Sequence, residues 1–199
     1  MNFGDFKLFY ILSYLGLGLI ILSPTLAIVI KLPGGERFSE LWLLGPSHMA
    51  EDYPFNVLEN EVYKVYLGIG NRMGDLGYFK VYVKFRNQTE SLPDAFNGTP
   101  SALGSLLEYC VFLSDSETWE KEISFSFEEV SFEGNVCKIS KLVINGYVLN
   151  IDKAAVWDEE NHGFYCQLFF ESWLYNTTVS TFRFQNRFVG IWLNMTGNV

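Results

Sequence analysis

GYFKVYVKFRN, residues 77–87, alternates apolar and polar side chains without a break. Phe79, Val81, Val83 and Phe85 fall on one side of an extended chain; Tyr78, Lys80, Tyr82, Lys84 and Arg86 fall on the other. Side chains along a strand point to opposite faces with period two. The segment therefore reads as a half-buried strand, with the first set in a core and the second in water. VYKVYLGIGN, residues 62–71, repeats the pattern with Tyr63, Val65, Leu67 and Ile69 on its core face, and the turn-rich stretch 71–77 predicts a hairpin between the two. Alternation returns over residues 119–127, where Lys121 is out of character beside Ile123, Phe125 and Phe127. Asn145-Gly146 separates KLVI from YVLN, the residue pair that a two-residue hairpin turn demands. A strand is expected over 106–113, a long one over 164–175, and two more over 179–185 and 187–195. Eight or nine strands at hairpin spacing predict an all-β fold, an antiparallel immunoglobulin-like β-sandwich.

Ahead of this pattern, residues 8–30 read LFYILSYLGLGLIILSPTLAIVI, without one charge. As a helix this run is about 34 Å long, enough to cross a hydrocarbon core of about 30 Å with some tilt. A cleaved secretory signal is the competing reading, but the run is long for one, and Ile28, Val29 and Ile30 extend it past its small-residue stretch. The expected organisation is a short tail over 1–7, a transmembrane helix over 8–30, a turn-rich tether over 31–37 and one domain over 38–199.

Four Asn-x-Thr sequons follow the apolar run, at Asn87, Asn97, Asn176 and Asn194. N-glycosylation happens on the translocated side. The flanking charges give nearly no bias of their own, so the sequons set the expected orientation: a single-pass cell-membrane protein with its C-terminal domain extracellular. Beyond residue 37 the chain has 11 Lys and Arg against 21 Asp and Glu. That balance argues against nucleic acid and against docking on anionic headgroups.

Cys110, Cys137 and Cys166 are an odd number for an oxidising location. Cys137 and Cys166, both on expected strands, are the preferred disulfide pair. No metal site is expected: His48 and His162 are the only histidines, and no ligand spacing of a known kind surrounds them. Asp158 to Asn161 has oxygens that suit calcium but reads better as a solvated turn. No catalytic residues are assigned either. Glu128-Glu129 would point to opposite faces of a strand, no Gly-x-Ser-x-Gly occurs, and Gly68-Ile69-Gly70 lacks the third glycine and helix of a phosphate cradle. No cofactor is implied, and the protein reads as a non-enzyme.

Aromatic residues are in surplus, 34 of 199. Most belong in a core, but Tyr78 and Tyr82 stand on the outward side of the clearest strand. Flat rings beside polar groups are what sugar- and partner-binding surfaces use, so these two mark a candidate binding surface.

FSELWLLGP (38–46), YPFNVLENE (53–61), LGIGN (67–71), TWEKEISF (118–125), FFESWLYNTT (169–178) and RFVGIWLNMT (187–196) stand in an order and spacing that resembles an archaeal membrane-protein family, domain of unknown function 1616. The resemblance implies an archaeal cell-surface domain of β-sandwich type and no known activity; the sequons add the expectation of a glycoprotein. Members of that family often carry several spans before the domain, whereas one is read here, a departure that weighs against transport. The leading expectation is a membrane-anchored module that binds an envelope protein or glycan, or serves as an accessory subunit of an envelope complex. A pilin-like filament subunit is the alternative, although Met1-Asn-Phe-Gly4 lacks the basic residues of a pilin processing site. A glycan-processing enzyme is the third.

Overall fold

The structure, a computed structural model, describes residues 3–29 and 36–197. The chain divides into two compact units, Met1–Arg37 and Phe38–Val199. In the first, α1 (Phe3–Val29) is a single helix of 27 residues. It begins inside the stretch read as an N-terminal tail. Among the described residues no helix is long and apolar enough to cross a membrane. Ile30 and residues 31–35 of the expected tether lie outside the described residues.

The second unit is built from ten strands: β1 (Phe38–Leu44), β2 (Asn56–Val57), β3 (Tyr63–Arg72), β4 (Gly77–Asn87), β5 (Leu107–Leu113), β6 (Thr118–Glu133), β7 (Val136–Ile144), β8 (Tyr147–Asp158), β9 (Gly163–Asn176) and β10 (Thr181–Met195). They form two layers. One runs β1-β3-β6-β7-β8 and the other β5-β4-β9-β10-β2. The layers join where β8 turns into β9, with Trp157 and Asp158 paired to Phe164 and Gly163. The fold is an all-β sandwich. Its pairing is antiparallel except at β2, which lies parallel to β10 through Asn56 and Val57.

The alternation that predicted the strands also sorts their faces. Val65, Leu67 and Ile69 on β3 and Phe79, Val81 and Val83 on β4 are fully buried. Phe85 of one layer meets Phe127 of the other with ring centroids 5.6 Å apart, and Phe127 packs edge-on against Phe125 at 6.0 Å. Each such side chain contributes about 1.5–3 kcal/mol by leaving water. At Gly68 an added Cβ would stand 1.9 Å from the Trp42 indole, so the close fit of β1 on β3 depends on that glycine. Lys121 keeps the alternation and lies with its ammonium 5.4 Å from the centre of the Tyr109 ring.

Asn145 and Gly146 both have positive φ, 48° and 83°. These values match the type I′ turn expected between β7 and β8. By contrast, the hairpin expected between β3 and β4 does not form. β3 pairs with β1 and β6, β4 with β5 and β9, and the chain crosses from one layer to the other between them. Asn71 pins that crossing. Its side-chain amide donates to the carbonyls of Asp75 and Leu113, both at 2.8 Å, and its Oδ1 accepts from the Met73 N–H at 3.0 Å. Period two assigns a strand its faces; it does not assign its neighbour. The two strands expected at the C-terminus are one, β10, interrupted by a bulge between Phe184 and Arg187 where Asn186 takes φ 56°.

A second correction concerns the polar side of β4. Lys84 and Arg86 were expected in water, yet they are only 4% and 6% exposed. The connection from β4 to β5 folds back over this face, and Ser101 in it takes a hydrogen bond from Lys84 Nζ to its carbonyl at 2.9 Å.

Candidate functional site

Three consecutive patches occupy the outer face of the β5-β4-β9-β10-β2 layer. The first is aromatic and open. Register places Tyr78 opposite Phe112, Tyr175 opposite Phe182 and Trp173 opposite Phe184. Tyr78 stacks on Phe112 at 4.2 Å with planes 8° apart, and meets Phe182 at 5.1 Å and Tyr175 at 6.2 Å. Tyr82 meets Trp173 edge-on at 5.5 Å, and Trp173 meets Phe184 at 5.8 Å. Cross-strand aromatic pairs of this kind stabilise a sheet, but they do not require a ring as open as Phe112, which is 63% exposed. Lys80 sits among the rings, its ammonium 4.7 Å from the centre of Phe182 and 5.5 Å from that of Tyr82, and bonds Glu108 at 3.0 Å. The Glu108 hydrogen bond raises the Lys80 pKa. A hydrogen bond with the neighbouring Cys110 raises that of the Tyr78 hydroxyl. The candidate residues Tyr78 and Tyr82 thus belong to one array. Its other rings come from β5, β9 and β10, and alternation applied to 163–176 would have placed Trp173 and Tyr175 on the same face.

The second patch is covered and ionic. Lys84 and Glu171 pair at 2.9 Å with side chains 5% and 0% exposed. Glu171 also accepts from the Ser101 N–H at 2.8 Å and from Trp173 Nε1 at 3.2 Å. A buried ion pair is tolerated only when its remaining bonding capacity is used, and here Ser101 and Trp173 use it. The pair therefore fixes both the covering loop and an indole of the aromatic patch.

The third patch is an open cleft of about 320 Å³ lined by Phe55, Gln88, Asp158, Asn161, Tyr165 and Trp192. Phe55 and Trp192 also line a neighbouring hollow of about 490 Å³ beside Leu43 and Tyr53. Arg86 lies 4.8 Å from the centre of the Trp192 ring and donates to Gln167 at 2.8 Å and to the Glu90 carbonyl. Burial lowers the Arg86 pKa. Asp158 caps its own turn by accepting from the backbone N–H groups of Glu160 and Asn161 and from the Asn161 side-chain amide, at 2.9 to 3.0 Å. Those Asn161 bonds hold its carboxyl below the ordinary value. Gln88 donates to the Val156 carbonyl and keeps a buried Oε1 without a partner.

The sequons differ in setting. Asn97 is exposed, in a turn that Asp94 caps by accepting from the Phe96 and Asn97 N–H groups. Asn176 starts the turn into β10, its Oδ1 accepting from Thr178 and Val179. Asn87 is more engaged: its amide donates to the Ala154 carbonyl at 2.9 Å, and its Oδ1 takes the Thr89 and Glu90 N–H groups. Asn194 is held at both ends, donating to Asn56 Oδ1 and accepting from the Phe164 N–H, each at 3.0 Å.

Cys110, Cys137 and Cys166 are all free thiols, so the bridge expected between Cys137 and Cys166 is not formed in the structure. Both residues are buried, one in each layer. Burial pushes each thiol up to about 12, with the nearby Cys137 adding to the shift on Cys166. The thiolate is the species that attacks a disulfide, and neither group supplies it inside this core. Native protein at neutral pH is therefore expected to label with a thiol reagent at Cys110 alone, and at all three cysteines after unfolding without reductant. Labelling at one site in the unfolded chain would mean that the bridge forms before the core closes. Among the described residues no three His, Cys, Asp or Glu side chains are placed to hold a metal ion.

A family model described as Domain of unknown function (DUF1616) matches residues 32–156, more than half of the chain. The chain belongs to this family. In this DUF1616 protein the matched region ends near the close of β8, so the phrases quoted above from β9 and β10 lie beyond it. No curated protein sequence matches the chain. Among solved structures, it is similar to the CARDB domain of the PF1109 protein from Pyrococcus furiosus, in complex with di-metal ions, at 8% identity over 83% of this chain and 94% of that one, TM-score 0.40. It is similar to the complex of Zinc 2-glycoprotein and Prolactin inducible protein from human seminal plasma at 9% identity over 83% and 100%, TM-score 0.38. It is also similar to a beta-glucosidase from Listeria innocua in complex with glucose at 10% identity, over 83% of this chain and 17% of that one, TM-score 0.35.

Proposed function

We propose that this protein is a binding module of the cell exterior, an immunoglobulin-like sandwich tethered to the membrane through the uncharged run of residues 8–30, and that it recognises an envelope protein or glycan without catalysing a reaction. The observation that carries this reading is the aromatic array on the outer face, with Phe112 63% exposed and stacked on Tyr78. Open rings held in fixed orientation cost water-ordering when free and gain contact area at little conformational cost when a partner covers them. The uncharged run of residues 8–30 supports the anchor, and the sequons support the exterior address, above all Asn97, which is exposed, and Asn176, which is half-buried at the start of an exposed turn.

The test uses full-length protein and isolated cell-envelope material. Phe112→Ser is expected to weaken retention about tenfold, as loss of an exposed aromatic anchor does, while leaving the denaturation midpoint in place. On the same protein from native membranes, glycan is expected on Asn97 and Asn176. Retention unchanged in Phe112→Ser would remove the aromatic face as the contact surface. An unglycosylated chain shielded from protease in intact cells would remove the exterior address.

A further inference from the structure

The cleft at the other end of the same face has chemistry of its own. Trp192 is 41% exposed and Phe55 47%. Neither is loose. Arg86 supports the Trp192 ring at 4.8 Å, and Phe55 lies against Tyr165 with centroids 6.0 Å apart and planes tilted by 37°. Tyr165 is fixed in turn by its hydroxyl donating to the Asn161 carbonyl at 2.6 Å. Rings supported from behind and open in front form a platform, and platforms stack on flat ligands.

Charge decides among flat ligands. The Arg86 guanidinium already occupies the quadrupole of Trp192, so a second cation on that ring meets a like charge at close range. On the opposite wall the Asp158 carboxylate repels anions. The polar side chains that line the cleft there include Asp158, whose carboxylate oxygens already accept from Glu160 and Asn161 and keep lone pairs for further donors, and Asn161. A ligand matched to this wall is neutral, presents an apolar face to rings and carries several O–H donors. Pyranose sugars have those three properties.

We infer that the cleft between Phe55 and Trp192 is a subsite for a neutral pyranose unit of an envelope glycan, an inference that rests on the binding-module reading and names the ligand class. The adjoining hollow beside Leu43 and Tyr53 gives a second unit room to continue along the face. Asp158 and Asn161 are placed to accept the sugar hydroxyls while Trp192 stacks on the C–H face.

The experiment is saturation-transfer NMR and calorimetric titration of the full chain in a sugar-free detergent. The probes are linear neutral gluco-, manno- and galacto-oligosaccharides, with choline and an oligouronate as charged controls. At least one neutral series should bind, and neither control. Trp192→Ala and Phe55→Ala should each weaken that binding about tenfold or more, with denaturation midpoints near that of the parent. Phe96→Ser, at a ring 96% exposed that lines neither hollow and lies outside the aromatic array, should leave it unchanged. No saccharide signal at about 10 mM, binding indifferent to both Trp192→Ala and Phe55→Ala, or preference for choline or the oligouronate would overturn the inference. Such a failure, with envelope retention still sensitive to Phe112→Ser, would leave the module standing without this subsite. Loss of Phe112 sensitivity with oligosaccharide binding intact would do the reverse.

Discussion

Glu171→Ala is expected to destabilise the domain by about 3–5 kcal/mol, the range for removing one member of a buried ion pair. The variant leaves Lys84, 5% exposed, with the Ser101 carbonyl as its hydrogen-bond partner. It also strips the acceptor from the Ser101 N–H and from Trp173 Nε1. An uncompensated charge and two orphaned donors then share one buried site. The double variant Lys84→Met with Glu171→Leu should recover a large part of the loss, because apolar side chains of similar volume need no partner there. Chemical denaturation of the full chain, followed by the sheet signal, reads both. Limited proteolysis adds a local readout: the loop around Ser101 should be cut faster in Glu171→Ala than in the double variant. A single variant within about 1 kcal/mol of the parent would mean that water reaches the pair and that the loop does not seal the face.

That ion pair shows where sequence reasoning stops. Alternation in residues 77–87 assigned Phe79, Val81, Val83 and Phe85 to the core, and all four are buried. The same alternation assigned Lys84 and Arg86 to solvent, because period two distinguishes two faces and is blind to what covers the second. The cover is the connection around Ser101, a segment with no periodicity of its own. The turn at Asn145-Gly146 was legible because that dipeptide tolerates the positive φ values the turn requires. The crossing at Asn71 was not, since a side-chain amide that bonds Asp75 and Leu113 looks in sequence like any turn asparagine. The binding face follows the same rule. Tyr78 and Tyr82 were visible as outward aromatics, while Phe112 and Phe182 joined them only through the register of β4 with β5 and of β10 with β9. The cleft was invisible, because it gathers Phe55, Gln88, Asp158 and Trp192 from four separate parts of the chain.

Phe127→Ala is the test of the sandwich itself. The ring is fully buried and is the point where the layers touch, against Phe85 of the facing sheet and Phe125 of its own. Truncation removes the transfer energy of the ring and leaves a cavity between two sheets that cannot collapse on it, since both are fixed by their own ladders. The expected loss is about 3–5 kcal/mol. Phe127→Leu keeps most of the volume and should cost less than about 1.5 kcal/mol. The ordering of the two variants carries the argument. A large loss for alanine and a small one for leucine is what a shared core between two stacked layers requires. Equal and small losses, measured by denaturant midpoint on the full chain, would mean that Phe127 is not sandwiched. The inward faces of β4 and β6 would then have to find other partners, and the outer faces that carry the aromatic array would no longer be outer.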